Sequence, residues 1–314
     1  PRGGIYGGTC VGLYAIPLGH SRFLQGGHMG RFELETGENF NRQYPDVFAA
    51  VCAAVRGRLG ADPKANVTAI RDAIRKALAA LPASHNENTA LKRLLFGLAA
   101  DADIVLDLHC EDEAIIHTYI GTPLWPQAAD LAQCLGSRVN LLAEDSGGEA
   151  FDEANSRLWW RLAREFPDAA IPAACLAATV ELRGERDVSD DYAAQDTAAL
   201  VSFLAGRGFI VDYPTPEPAR AASASLLEAV DYLHCEHAGV VVWAEEVGAN
   251  VQAGQVLGHV VDVHSGTRLP IAARTSGVFF ARRAHRYARA GQWLAKIAGE
   301  QLLDWRKPGA LLPN

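Results

Sequence analysis

Three places along the chain carry residue types suited to chemistry. The first is His109, which closes the run Asp103-Ile104-Val105-Leu106-Asp107-Leu108-His109. The inner residues of that run are nearly all apolar, the pattern of a strand buried within a parallel or mixed sheet. Side chains at the C-terminal ends of such strands leave the packed layer and face a crevice, and a neutral imidazole is a common zinc ligand. A histidine satisfied at a sheet edge is the plainer alternative. Glu111, Asp112 and Glu113 follow at once and read as a solvated acidic turn. His117 can line a site wall, with a structural role as its default.

The second place is Glu181, where a carboxylate interrupts the β-rich run Ala178-Thr179-Val180-Glu181-Leu182. An unpaired buried carboxylate costs several kcal/mol, of order ~3–5, so this side chain either faces solvent or serves a site. The third is the pair Asn41-Arg42 at the end of a Gly-rich stretch over residues 19–46, long enough to be functional. An arginine fork fits a carboxylate bidentately and an adjacent amide can complete the grip, although an Asn-Arg pair in a loop is more often a surface feature.

The elements that must position these residues follow from periodicity. Thr9 to Ile16 reads as a buried strand. Asn66 can cap a helix whose apolar positions Val67, Ile70, Ile74, Leu78 and Leu81 step by three and four, stopped by Pro82. A helix over about 87–99 precedes the His109 strand. Then come a helix over 126–136, a strand over 138–143, a helix over 153–166, a strand over 175–182 and a helix over 190–205, the alternation of an α/β domain. Near residue 212 the texture changes. Tyr213-Pro214-Thr215-Pro216-Glu217-Pro218 and the Ala/Ser stretch after it have the composition of a stiff linker. The expected organisation is a catalytic α/β domain over 1–212, a linker over 213–225 and a small β domain over 226–314. Within the last, Asn250–Val260 and Tyr287–Ile297 share a phrase, a turn Gly followed by Gln and an alternating strand, a weak repeat of hairpin size.

Composition excludes other classes. With 314 residues, 49% hydrophobic and 21% charged, the chain can bury a sizeable core and is neither disordered nor fibrous. Lys plus Arg total 29 against 37 Asp plus Glu, a net charge of −8 with no basic block, so nucleic acid is not an expected partner. The 6 cysteines form no C-x-x-C pair and fit reduced thiols, hence a cytoplasmic setting. No apolar run suggests a membrane span.

In their order, Asn-Phe-Asn-Arg-x-Tyr-Pro-Asp at 39–46, Asp-Leu-His at 107–109, Thr-Val-Glu-Leu at 179–182 and a following small β domain resemble the succinylglutamate desuccinylase/aspartoacylase family, within the zinc-carboxypeptidase-like superfamily. The likeness runs from about residue 9 to 300. It implies a mixed-sheet α/β/α domain with a C-terminal barrel-sandwich domain, and a zinc-dependent amidohydrolase acting on linear amides such as an N-acyl amino acid. It further implies one zinc ion per chain with His109 as a ligand, Glu181 as the general base, Asn41 and Arg42 on the substrate carboxylate, and Arg31 on the scissile carbonyl, with Arg22 competing for that role. Tyr287 corresponds to a tyrosine that the small domain contributes.

One departure bears on the metal. The family takes its first two zinc ligands from a His-x-x-Glu motif, and none precedes Asn41 here, so an upstream segment is expected to supply it. Within the chain as it stands, His20 or His28 with Glu33 or Glu35 are the substitutes. The β phrases also resemble biotinyl and lipoyl carriers. Between them no lysine stands at the turn Ala272–Gly277, and Lys296 falls in the closing strand, so the domain reads as a structural lid or an oligomerisation surface. A zinc carboxypeptidase acting on peptides and a catalytically inactive carboxylate-binding homologue are the competing functions.

Overall fold

The computed structural model describes residues 32–33, 36–213, 222–309 and 311–312. The strand expected over 9–16, His20, Arg22, His28, Arg31 and Glu35 lie outside the described residues, as do 214–221 of the expected linker. In chain order the helices and main strands are α1 (Phe48–Val55), α2 (Pro63–Ala79), α3 (Glu87–Ala99), β1 (Ile104–Glu111), β2 (Glu113–Ala114), β3 (His117–Gly121), α4 (Trp125–Leu135), β4 (Val139–Ala143), α5 (Phe151–Glu165), β5 (Leu176–Gly184) and α6 (Asp190–Gly206). The strands β6 (Ser225–Leu226), β7 (Val230–His234), β8 (Gly239–Trp243), β9 (Asn250–Val251), β10 (Val256–Val261), β11 (Arg268–Ala272), β12 (Gly277–Arg282), β13 (Tyr287–Ala288) and β14 (Trp293–Gly299) complete it. The chain is thus mixed α/β, as its alternation predicts. It divides into two compact units, one of Pro1–Asp107, Glu144–Ala178 and Leu312–Asn314, the other of Leu108–Ala143 and Thr179–Leu311.

The first unit packs α1, α2, α3 and α5 around one core. Val51, Val55, Ile70, Ile74, Leu78, Phe96, Val105, Trp159 and Leu162 are all buried there. Helix α2 begins earlier than Asn66, because Asp62 accepts from the amides of Lys64 and Ala65 and Pro63 fills the first position, where a missing N–H costs nothing. Asn66 is instead a buried tie. Its Oδ1 accepts from Gly60 N at 2.9 Å, and its Nδ2 donates to Gly60 O at 2.7 Å and Ala170 O at 2.9 Å. Helix α3 carries a capping box between Asn86 and Thr89.

In the second unit, β3 and β4 pair parallel from His117 against Val139 to Gly121 against Ala143, and β4 takes β6 as a further parallel neighbour. Among the described residues the strand order is β1-β5-β3-β4-β6, which puts β1 at an edge rather than at the centre. Leu108 is accordingly half exposed, where an interior strand would bury it. The remaining strands form two antiparallel sheets, β11-β10-β8-β13 and β2-β12-β14-β7, whose inner residues Val241, Leu257, Val260, Phe279, Leu294 and Ile297 share one core. The short strand β2, two residues beyond Glu111, joins this second sheet by pairing Ala114 with Ala281.

The repeated phrase has a structural counterpart. Gly254 and Gly291 both turn through positive φ, +85° and +83°. The glutamine after each braces its own turn in the same way, Gln255 Oε1 accepting from Gln252 N at 3.0 Å and Gln292 Oε1 from Arg289 N at 2.9 Å. Among the described residues no helix is long and apolar enough to cross a membrane.

Two stability measurements check these accounts. Asn66→Ala orphans the Gly60 and Ala170 groups and should destabilise the protein by about 2–3 kcal/mol, read from denaturation midpoints; a loss below about 0.5 kcal/mol would contradict the tie. A Cβ at Gly254 or Gly291 meets no atom within 4 Å, so only backbone strain acts. Gly254→Ala and Gly291→Ala should therefore each cost about 1–2 kcal/mol, and unchanged midpoints would show that the turns do not require a left-handed residue.

Candidate active site

Strand alternation sets which residues of β1 can act together. Side chains two apart share a face, so His109 and Glu111 point one way while Leu108 and Cys110 point the other. Leu108 and Cys110 are exposed, and His109 and Glu111 are half-buried. The end of β5 lies alongside, with Glu185 N donating to Glu111 O at 2.7 Å. Glu181, four residues back in β5, is half-buried rather than solvated.

A polar centre forms where these strands meet β3 and β14. Glu111, His117 and Glu181 each present a donor atom, all within 4.8 Å of one another, a set able to hold a metal ion. His117 is fully buried between Tyr119 and Phe280, whose ring centroids lie 5.5 and 4.9 Å away. Its Nδ1 stands 2.9 Å from the Ile115 carbonyl oxygen. A carbonyl can only accept, so Nδ1 carries the proton and Nε2 keeps a bare lone pair. Nε2 has no hydrogen-bond partner among the described residues. Burial pushes the imidazole's pKa down to about 4, despite the Ile115 bond and the nearby Glu111 charge, so the ring is neutral.

The charge of Glu111 is met by Lys296 of β14, whose ammonium pairs with its Oε2. Both side chains are largely buried, 15% exposed for Glu111 and 9% for Lys296. Burial alone would raise the Glu111 pKa, but the ammonium beside it holds the carboxyl below its ordinary value. Burial likewise opposes the lysine charge, and Glu111 more than offsets this, raising the lysine pKa. Glu113 is not a solvated turn residue either. It is held by Arg282 Nε at 2.6 Å and by Arg286 Nη2 at 2.7 Å.

The other residues expected from the sequence fall as follows. Asn41 donates from Nδ2 to Asp107 Oδ2 at 2.8 Å, and its Oδ1 accepts from Phe151 N at 2.9 Å, so its amide is anchored within the first unit. Arg42 is buried, with Nη1 on the Asn41 carbonyl at 2.7 Å. Tyr287 is 57% exposed on β13 of the second unit. Arg31 lies outside the described residues. Sequence reasoning did not single out Lys296, Arg282 or Arg286 for the site. A signal for Lys296 was present: like Glu181, it is a charged residue set in an otherwise apolar strand, Trp293-Leu294-Ala295-Lys296-Ile297.

The donor chemistry fits a divalent cation in kind. An imidazole nitrogen and two carboxylates are groups of the kind zinc takes, but Glu111 is committed to Lys296, and His109, the ligand expected from the sequence, is not in this set, so the cluster forms a polar wall beside the end of β1.

No family model matches the chain, and no curated protein matches it. Solved structures do. A protein of Shewanella amazonensis SB2B described as of the succinylglutamate desuccinylase/aspartoacylase family superposes with a TM-score of 0.75 at 25% identity, over 86% of this chain and 75% of that one. A succinylglutamate desuccinylase/aspartoacylase from Shewanella frigidimarina NCIMB 400 gives a TM-score of 0.72 at 24% identity, over 86% and 74%. One from Rhodobacter sphaeroides gives 0.57 at 16%, over 86% and 70%. In fold, this chain is similar to solved structures of the succinylglutamate desuccinylase/aspartoacylase family.

Proposed function

We propose that the chain is a zinc-dependent deacylase that hydrolyses the amide of an N-acyl amino acid or a related small linear amide. The observation that carries this reading is the placement of Glu181. A carboxylate in an apolar strand is kept half-buried and meets Glu111 and His117 at the end of the sheet, where a group that moves protons is of use. The order of the motifs and the fold shared with desuccinylase/aspartoacylase structures support the same chemistry. The two antiparallel sheets with a common core are read as the barrel-sandwich domain of that family.

His109 would hold the zinc from the end of β1. Zinc, when bound, supplies Lewis acidity: it makes water a competent nucleophile near neutral pH and draws charge from the scissile carbonyl. Glu181 takes the proton of the attacking water on its carboxylate and delivers it to the departing nitrogen. The C–N bond breaks, a C–O bond forms, and the products are a free acid and an amine. Arg42 and Asn41 would receive the carboxylate of the amino-acid part through charge-assisted hydrogen bonds. Arg31 would stabilise the negative charge that develops on the carbonyl oxygen, and Tyr287 would offer its hydroxyl to the substrate.

Release of free amine from a panel of N-acetyl, N-succinyl and other N-acyl amino acids tests the reading. Glu181→Gln should lower kcat by about a hundredfold or more while zinc content stays unchanged. Retained turnover in that variant would remove Glu181 as the base. Trimming of peptide C-termini with no action on the panel would replace the deacylase by a carboxypeptidase.

A further inference from the structure

Lys296 is a buried charged residue of the small β structure to which the proposed chemistry gives no role. It lies in β14, whose remaining residues are apolar or glycine, and from Leu294 to Gly299 every residue of that strand is buried. Burying an ammonium in such a strand is costly, and a methionine or leucine would fill the volume at lower cost, so a lysine here needs a task. Cofactor attachment is not that task, because the amine is buried and paired. Its surroundings are the Glu111 carboxylate and two aromatic faces, Trp293 at 4.9 Å and Tyr232 at 5.3 Å, which suit a held cation.

The backbone explains how it reaches Glu111. Ala114 of β2 pairs with Ala281 of β12, and Ala281 pairs with Lys296 of β14. The three residues form one row across the sheet. The lysine is therefore fixed two strands from β2, and β2 starts two residues after Glu111. Arg282, next along β12, clamps Glu113 from the same row of strands. Lys296 of β14 and Arg282 of β12, in adjacent rows of that sheet, thus hold the acidic segment.

Counting charges identifies what the lysine does. Glu111 and Glu181 bring two carboxylates to within 4.8 Å of a neutral His117 nitrogen, and Lys296 forms an ion pair with Glu111. Without it, the buried Glu111 carboxylate loses its ion-pair partner and is no longer fixed beside His117. We propose that Lys296 is a positioning residue: by fixing Glu111 it holds the wall formed by Glu111 and His117 against which Glu181 is set. The inference rests on the deacylase reading for its kinetic test and on the geometry alone for its spectroscopic one.

The test compares Lys296→Met, Lys296→Arg and Lys296→Met/Glu111→Gln with the intact protein. With a panel substrate that the intact protein turns over, Lys296→Met should lower kcat by about ten- to hundredfold with KM within about twofold, and Lys296→Arg should recover most of the loss. The double variant, which removes both charges, should be no slower than Lys296→Met. An unchanged kcat, a loss that Arg does not recover, or losses from the two sites that multiply would overturn the proposal. A second readout is independent of turnover. The 15N signals of the His117 ring should shift in Lys296→Met and return in Lys296→Arg; identical signals in all three would overturn the proposal even if no panel substrate is hydrolysed, the outcome that alone defeats the deacylase reading.

Discussion

A fully buried imidazole that must keep one nitrogen bare constrains most of what surrounds it. The Ile115 carbonyl fixes the proton of His117 on Nδ1, and Tyr119 and Phe280 fix the plane of its ring. Nε2 then meets Glu111 and Glu181, acceptors like itself. Two carboxylates less than 5 Å apart repel by about 3–4 kcal/mol at the effective dielectric of a protein, so the arrangement needs a cation within reach. Lys296 supplies one from a strand far along the chain. The centre is a balance of fixed charges, and it is held by β1, β3, β5 and β14 together.

The fold provides that balance by tying an acidic segment to a sheet. Glu111 ends β1, and β2 follows almost at once and joins β12 and β14. Glu113, which would otherwise add a further negative charge, is neutralised by Arg282 and Arg286. The first unit does comparable work on its own residues. Asn41 is anchored by Asp107 and the Phe151 amide, so its position is set by α5 and β1 rather than by the flexibility of a loop.

Much of this is legible in the sequence, for reasons that differ from residue to residue. The helices from α3 to α6 and the strands β1, β4 and β5 lie within about two residues of where their pattern places them, whereas β2 and β3 carry no such signal. Glu181 stands out because it breaks an apolar strand, and His109 because it closes one. Asn66 misleads: its type and its place before an apolar run suit a cap, yet Asp62 and Pro63 upstream start the helix and leave Asn66 to bridge Gly60 and Ala170. Helix α1 is not legible because Val47 precedes it with no side-chain cap and Phe48–Val55 is apolar on every side. The pairing of Glu111 with Lys296, 185 residues apart, and of Glu113 with Arg282 depends on strand register, which local pattern does not encode.

The central claim is that a metal-assisted hydrolysis proceeds with Glu181 moving the proton. Its most direct test is metal content measured alongside hydrolysis of N-acyl amino acids before and after chelation. The account predicts about one zinc per chain, turnover that disappears with the metal and returns when zinc alone is restored. Full turnover by protein stripped of metal would contradict it.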